Sequence, residues 1–278
     1  MRQMIKYIEY YIPREDKKMK RFIKIMCIVI AVIMCVSLVA CYKEPTGKAY
    51  YDYRKSNTGY GEKIFMKNVE KEINAYKAED FVASEQESDY VLIKVKNYGD
   101  IVVLLRHDVA PGTVENFKKL VSEKFYDGTI FHRVIENFMI QGGGNIVNPD
   151  YDPEKGNATY IAKSADSIKG EFTSNGFTNN LKHVRGVISM ARVGAASNAT
   201  AAEKEKANNS AASQFFIVHQ TNESSSNLNG DYATFGYVLA GMEVVDAIAT
   251  CEVWGKNTDA PLPAVDIVVE SITFVERK

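Results

Sequence analysis

The sequence predicts a mainly β domain built on a closed or sandwiched antiparallel sheet. Two observations carry this. From Asp89 onward, apolar runs of strand length recur, each bounded by a turn signal. Only two segments of that stretch carry a clear helical repeat: Val114, Phe117, Leu120 and Val121, to about Lys124, and Val244, Val245 and Ile248 between Met242 and about Thr250. Many strands with only two helices favour sheets that bury their faces against each other or close on themselves.

Taken in order, Val91, Ile93 and Val95 alternate with Leu92, Lys94 and Lys96. Asn97-Tyr98-Gly99-Asp100 is a turn signal and Ile101–Leu105 resumes, so a hairpin is expected. Pro111-Gly112-Thr113 leads into the first helix, with Thr113 expected as its N-cap. Tyr126-Asp127-Gly128 turns the chain into an apolar run, Thr129–Ile135. A polar break at Glu136-Asn137 follows, then a second run, Phe138–Ile140. Further strands are expected at Gly186–Ala191, Gln214–Val218, Thr234–Val238 and Ile267–Phe274. The second helix falls between the last two. Asn145–Ser167 and Ser197–Asn209 are polar and read as surface loops, the second close to the Gln214 strand.

The first 88 residues differ in character. Lys17, Lys18, Lys20, Arg21 and Lys24 precede a nearly unbroken apolar run, Ile25 to Val36, which ends in Leu38-Val39-Ala40-Cys41. A short apolar core behind a positive start reads as a signal peptide. Its ending resembles a bacterial lipobox, which implies lipidation of Cys41. The alternative is a transmembrane anchor, since Phe22 to Tyr42 is about long enough to cross ~30 Å. Both readings put the domain beyond the cytoplasmic membrane. Met19-Lys20-Arg21 is an ordinary signal-peptide beginning, so translation is expected to start at Met19. Tyr42–Gly61 is polar and reads as a tether. Ile64, Phe65, Val69, Ile73 and Tyr76 then fall at near-helical spacing, as in a short amphipathic helix docked on the domain or frayed, with a partner-binding helix as the alternative. The expected organisation is a signal peptide over 1–41, a linker over 42–88 and a globular domain over 89–278.

Charge and cysteines narrow the classes. Residues 1–40 hold eight Lys/Arg and three Asp/Glu, a net of +5, so the overall −1 leaves −6 on the remainder. An acidic domain with no basic run among aromatics is a poor nucleic-acid binder. Cys27, Cys35 and Cys41 belong to the N-terminal segment, and Cys251 stands alone in the domain. That makes no disulfide framework, and it suits an oxidising compartment, where a lone cysteine has no internal partner to mispair with.

The chemistry concentrates in Phe131–Gly144, Phe-His-Arg-Val-Ile-Glu-Asn-Phe-Met-Ile-Gln-Gly-Gly-Gly. Arg133 and Gln141 sit among Phe131, Phe138 and Met139 with no carboxylate run to pair with. A guanidinium and an amide on an otherwise apolar surface suit a ligand that is apolar on one side and carries a carbonyl on the other.

This stretch resembles the signature of the cyclophilins, the peptidyl-prolyl cis-trans isomerases. Three more blocks follow in the family's order: Gly186-Val-Ile-Ser-Met-Ala-Arg192, Ser210-Ala-Ala-Ser-Gln-Phe-Phe-Ile-Val218 and Leu228-Asn-Gly-Asp-Tyr-Ala-Thr-Phe-Gly236. The resemblance covers Asp89 to Val275. It implies a closed eight-stranded antiparallel barrel capped by two α-helices. It also implies a catalyst of X-Pro rotation that needs neither cofactor nor metal. Arg133 is then the donor to the prolyl nitrogen and Gln141 the polar group near the rotating carbonyl. Phe138, Met139, Phe216 and Leu228 wall the proline pocket, Tyr232 stands beside it, and Ala191 and Gln214 lie along the peptide groove. Three departures stand out. Asn227 occupies the place of a tryptophan or another aromatic, which implies weak cyclosporin binding. Arg192 replaces a frequent asparagine, and Glu136-Asn137 replaces Pro-Gly in a turn.

Competing readings of these residues are weaker. Phe138, Met139 and Phe216 would by default be core. A lone strand arginine is more often a salt-bridged surface residue, and His132 reads as structural. His107, His183 and His219 show no metal-ligand spacing. Gly142-Gly143-Gly144 is not followed by the Gly-Lys-Ser/Thr or the helix start of a phosphate loop. No nucleophilic triad is recognisable. Two functions remain. The first is a monomeric prolyl isomerase, lipid-anchored at the outer face of the bacterial cytoplasmic membrane and assisting exported proteins. The second is a proline-peptide-binding module or chaperone with little turnover.

Overall fold

The computed structural model describes residues 60–150, 159–256 and 258–278. The expected signal peptide, Cys41, the Met19 start and most of the 42–61 tether lie outside these residues. Among the described residues no helix is long and apolar enough to cross a membrane.

The chain opens with helix α1 (Tyr60–Glu72) and strand β1 (Phe81–Ala83). The hairpin comes next, as β2 (Tyr90–Val95) and β3 (Gly99–Leu105), in the expected register, Val91 opposite Val103 and Ile93 opposite Ile101. Asn97 and Gly99 take positive φ of 65° and 125° in the turn, which is why this turn is built from Asn and Gly. In β2 the apolar set is buried and Lys94 is exposed, but in β3 Ile101, Val102 and Val103 are all buried. The loss of alternation has a cause. Ile101 and Val103 face the main core, while Val102 packs with Phe65 and Val69 of α1 and with Phe81 of β1 in a second cluster. β1 pairs antiparallel with the last strand, β13 (Val269–Arg277), Phe81 opposite Arg277.

Helix α2 (Pro111–Ser122) follows. Its start corrects the expected cap. Pro111 occupies the first turn, and Ala110, not Thr113, is the N-cap residue, with no side-chain capping bond of its own. The free N–H groups are met from a distant loop instead. The Glu171 carboxylate accepts from Gly112 N at 3.0 Å, Thr113 N at 2.8 Å and Thr113 Oγ1 at 2.7 Å. A negative charge at a helix N-terminus is favoured by the helix dipole. The acid lies 58 residues away from Thr113 in sequence, so local capping rules could not find it.

Beyond α2 come β4 (Arg133–Ile135), β5 (Met139–Gly142), the small β6–β7 pair (Asn145–Val147, Tyr160–Ala162), β8 (Val187–Met190), α3 (Ala201–Asn208), β9 (Phe215–Val218) and α4 (Glu223–Ser226). The chain finishes with β10 (Thr234–Ala240), α5 (Met242–Ala249), the β11–β12 hairpin (Val253–Trp254, Leu262–Pro263) and β13. Ser197–Asn209, expected as a loop, therefore contains a helix. Thr200 and Glu203 form a capping box at its start. Only Ala207 of α3 is buried, so the sequence shows no apolar stripe there. Asn145–Ser167 likewise holds the β6–β7 pair rather than loop alone.

The main sheet has nine strands in the order β1-β13-β2-β3-β10-β8-β9-β5-β4, every pair antiparallel. The expected closed eight-stranded barrel is not what the ladder describes, since it has nine strands and two ends. Ahead of β4 the chain is tied to the start of β13: Val269 N donates to Thr129 O at 2.7 Å, and Gly128 N donates to Val269 O at 2.9 Å. An isolated bridge joins Ile130 to Val268, and Phe131 N donates to Ile267 O at 3.0 Å. One face of the sheet holds the main core. There Phe117 of α2 meets Tyr126, Phe215 and Phe235, with ring centroids 5.0, 5.8 and 5.1 Å away.

Candidate active site

The site is a consequence of register. Across β4, β5 and β9, Arg133 stands opposite Gln141, and Gln141 opposite Phe216. Two residues along, Ile135 stands opposite Met139, and Met139 opposite Val218. Residues directly opposite share a face, and the side-chain period of a strand is two. The two rows therefore lie on one face. The residues between them, Val134, Ile140 and Ile217, point the other way into the main core. Alternation along three short strands thus puts a polar row beside an apolar row on the outer face.

The apolar row is joined by Phe216, from the end of the first row, in a separate cluster of buried Met139, Phe216 and Val218. Ile135, Phe138, Ala191, Leu228 and Tyr232 pack around it. Six of the sequence-identified residues, Phe138, Met139, Ala191, Phe216, Leu228 and Tyr232, are thus brought together. Ile135 and Val218 complete the cluster and were not singled out from sequence. Period-two counting from Arg133 and Phe216 would have found both. Asn227 is exposed at the C-terminus of α4, next to Leu228.

The polar row is a chain of hydrogen bonds. Arg133 Nη1 donates to Gln141 Oε1 at 3.1 Å, and Gln141 Nε2 donates to Gln214 Oε1 at 2.9 Å. Arg133 Nη1 also lies 3.8 Å from Met139 Sδ, so the guanidinium sits against the apolar cluster. Arg133 Nε donates to the backbone carbonyl of Asp259 at 2.6 Å. That carbonyl sits in the loop of the β11–β12 hairpin, whose Pro261 O also accepts from Val134 N at 3.0 Å. A backbone carbonyl leaves no side-chain signature, so Asp259 was invisible to sequence reasoning. Burial pulls the Arg133 guanidinium below its ordinary pKa, with Tyr232 and Asp259 acting in the opposite direction. It stays charged across the working range of a protein.

Gln214 is positioned by the glycine run. A Cβ on Gly144 would lie 2.3 Å from Gln214 Cγ and Nε2, and Gly143 has φ of +81°. The Gln214 amide can lie over the chain at Gly144 because there is no side chain there. Ala191 N donates to Gln214 O at 2.8 Å, which ties the residue after β8 to the same point.

Behind the pocket wall lies His183. Its ring stacks on Phe216 at a centroid distance of 5.8 Å and an interplanar angle of 12°. His183 Nδ1 is 3.0 Å from Asn229 Oδ1, and Nε2 is 3.1 Å from Ser189 Oγ. Because an amide oxygen only accepts, Nδ1 carries the proton and Nε2 accepts from the serine. Burial pushes the His183 pKa down to about 4, so the ring is neutral and acts as a rigid backing. Tyr232 meets Phe216 edge-on, with centroids 5.9 Å apart and planes at 82°. The Arg192 guanidinium lies 4.8 Å above the Tyr232 ring and 5.1 Å from that of Phe172. Arg192 thus buttresses Tyr232 from outside the pocket. His132 Nδ1 is buried without a hydrogen-bond partner among the described residues, and its backbone N donates to Gln141 O at 3.0 Å.

Chemically, the face offers a fixed cation and amide donors beside an apolar cluster. Comparison with known proteins agrees. The family model for cyclophilin type peptidyl-prolyl cis-trans isomerase/CLD matches residues 90–272. The chain is 38% identical over 186 residues to peptidyl-prolyl cis-trans isomerase B of Escherichia coli (strain K12), covering 65% of this chain and 96% of that protein. It is 38% identical over 183 residues to a peptidyl-prolyl cis-trans isomerase of Acinetobacter baylyi, covering 64% of this chain and 83% of the relative. It is 35% identical over 192 residues to peptidyl-prolyl cis-trans isomerase A of Dickeya dadantii, covering 68% and 86%. With the match running from β2 into β13, this chain belongs to the cyclophilin-type peptidyl-prolyl cis-trans isomerase family, and so to the isomerases.

Proposed function

We propose that this chain rotates X-Pro peptide bonds of exported polypeptides as a monomer, tethered by a lipid on Cys41 to the outer face of the bacterial cytoplasmic membrane. The observation that carries the catalytic reading is the placement of the Arg133–Gln141 pair beside the Met139–Phe216 cluster. The apolar run before Cys41 and the positive residues ahead of it support the location.

Rotation about X-Pro is slow because it breaks amide resonance, with a barrier of ~18–20 kcal/mol. In the twisted state the prolyl nitrogen becomes pyramidal and gains a lone pair. A donor aimed at that nitrogen bonds only the transition state, so it lowers the barrier without tightening the ground state. Arg133 takes this role, and its fixed charge suits it. The pyrrolidine ring is held still against Met139, Phe216 and Leu228 while the preceding carbonyl turns past Gln141. Lowering the barrier by about 7 kcal/mol corresponds to about 10⁵-fold in rate.

The test is X-Pro exchange of a model peptide by NMR, with the full chain in mild detergent and its Arg133→Ala variant. Exchange accelerated by the wild type and reduced by about 100-fold or more in the variant is expected. No acceleration, with peptide signals still shifted on titration, would instead identify a proline-peptide-binding module. For the anchor, metabolic labelling with a fatty acid should mark the wild type and not Cys41→Ser.

A further inference from the structure

The β4–β5 hairpin carries Arg133 on one strand and Met139 and Gln141 on the other, so its turn sets their spacing. That turn is Ile135-Glu136-Asn137-Phe138, closed by Phe138 N donating to Ile135 O at 3.0 Å. Asn137, its third residue, has φ of +64°. A turn of this kind favours proline second and glycine third. Glu136 presets no φ, and Asn137 is less free at positive φ than glycine. Glu136 and Asn137 therefore specify this turn less strongly than proline and glycine would.

It is held from outside. Asn137 N donates to His219 Nδ1 at 3.0 Å, and Asn222 Nδ2 donates to Asn137 O. His219 N donates to Phe138 O at 2.9 Å, which fixes the start of the histidine against the same hairpin. On the other side of the ring, His219 Nε2 lies 3.3 Å from Asp246 Oδ1 on α5. Arg185 grips Asp246 with two bonds of 2.7 Å and donates to His219 O at 2.7 Å. A carboxylate only accepts, so Nε2 carries the proton and Nδ1 has its lone pair free for the Asn137 N–H. His219 is buried, 4% exposed, and lies outside the pocket cluster.

We propose that His219 is a positioning residue for the isomerase site, and that its neutral form is required, because only neutral His219 can accept the amide that holds the Glu136-Asn137 turn. Protonation puts a hydrogen on Nδ1 facing the Asn137 N–H, two donors at one bond. The turn is then released, and with it the alignment of Arg133 with Met139 and Gln141. The charged groups around the ring are Asp246 on α5, Arg185 before β8 and Glu136 in the turn itself. Burial is the largest influence and holds the imidazole below its ordinary pKa. Asp246 and Glu136 favour the proton and Arg185 opposes it. The device therefore acts on the acid side of neutrality.

This inference rests on the isomerase reading, and one experiment separates them. The pH dependence of kcat/KM for X-Pro exchange is measured on the full chain as wild type, His219→Asn and His219→Leu. Asparagine places an acceptor oxygen near the position of Nδ1 and does not titrate. The wild type should lose activity as pH falls below the ordinary histidine range. His219→Asn should keep activity near pH 7.5 within about threefold and lack that acid decline. His219→Leu should be reduced about tenfold or more at every pH. An unchanged acid decline in His219→Asn would assign it to His132 or His183 and overturn the proposal. Full activity in His219→Leu would overturn it equally. Absence of exchange in the wild type would overturn the isomerase reading and the inference together.

Discussion

Arg133 and Gln141 face each other across β4 and β5, and Nη1 of the arginine donates to Oε1 of the glutamine at 3.1 Å. With Nε bound to the Asp259 carbonyl, two of the three guanidinium nitrogens are held by protein. The group is thus oriented before any peptide arrives, and an electrostatic catalyst gains most from such preorganisation. The glutamine is itself fixed by Gln214, so the orientation of the cation depends on a second amide two strands away.

Gln141→Leu should therefore act through the arginine. It removes the acceptor for Arg133 Nη1 and the donor to Gln214, leaving both free to turn. We expect kcat/KM for X-Pro exchange to fall between about 10- and 100-fold, as when a reacting group is misplaced by about 1 Å. Gln141 is half-buried, so the stability change should stay within about 1.5 kcal/mol. NMR exchange measured alongside urea denaturation checks both. Unchanged kcat/KM would show that Arg133 is oriented by Asp259 alone.

Most of the site was legible in the sequence because it lies on strands, where a period of two converts position into facing. Once Arg133 and Gln141 are placed on neighbouring strands, Met139, Phe216 and the core residues between them follow. The pieces that were missed act through groups the sequence does not display. Asp259 acts through its carbonyl, Glu171 reaches a helix start from a distant loop, and His219 acts on a backbone amide. Helix α3 carries no apolar repeat in the sequence because its stability comes from a capping box and good helix formers, with one buried residue. Strand β1 is short, and only its pairing with β13 makes it a strand.

Gly144→Ala tests how Gln214 is seated. The added methyl would meet Gln214 Cγ, Cδ and Nε2 at 2.3–2.5 Å, closer than any real contact. The amide must move, and its bond from Gln141 Nε2 is lost with it. Since the side chain is flexible, the fold should tolerate the change. KM for a model peptide should rise about fivefold or more, with a smaller fall in kcat, because Gln214 lies along the groove. An unaltered KM would show that Gln214 does not meet the peptide.

Phe65→Ala tests whether α1 belongs to the folded unit. Phe65 is 5% exposed in the second cluster, against the Arg106 guanidinium at 4.9 Å from its ring centre. Arg106 is paired in turn with Asp108 by bonds of 2.7 and 2.8 Å. Truncating a buried phenylalanine typically costs about 3–5 kcal/mol. A loss of that size, measured by urea denaturation, is expected, with exchange activity at 25 °C retained because Phe65 packs in the second cluster and not in that of Met139 and Phe216. A loss below about 1 kcal/mol would mean the helix is only loosely docked.

His183 ties pocket rigidity to acid stability. Its folded pKa of about 4 lies below the ordinary 6.5, because burial disfavours the charged ring. The unfolded chain therefore takes up this proton first as pH falls. Above about pH 6.5 the stability contributed by the neutral ring is fully present. Between 6.5 and 4 it is withdrawn, by about 1.4 kcal/mol per pH unit, for a total of about 3 kcal/mol. Below pH 4 no further loss comes from this group. His183→Gln should be less stable at pH 7.5 by about 1–3 kcal/mol through the altered bonds to Ser189 and Asn229. It should also lack one proton's share of the slope between pH 6.5 and 4, as read from urea denaturation at several pH values. Because the ring backs Phe216, its kcat/KM at pH 7.5 should fall as well. Parallel pH profiles for the two proteins would show that the proton enters elsewhere, and that the stacked ring is not held neutral by its burial.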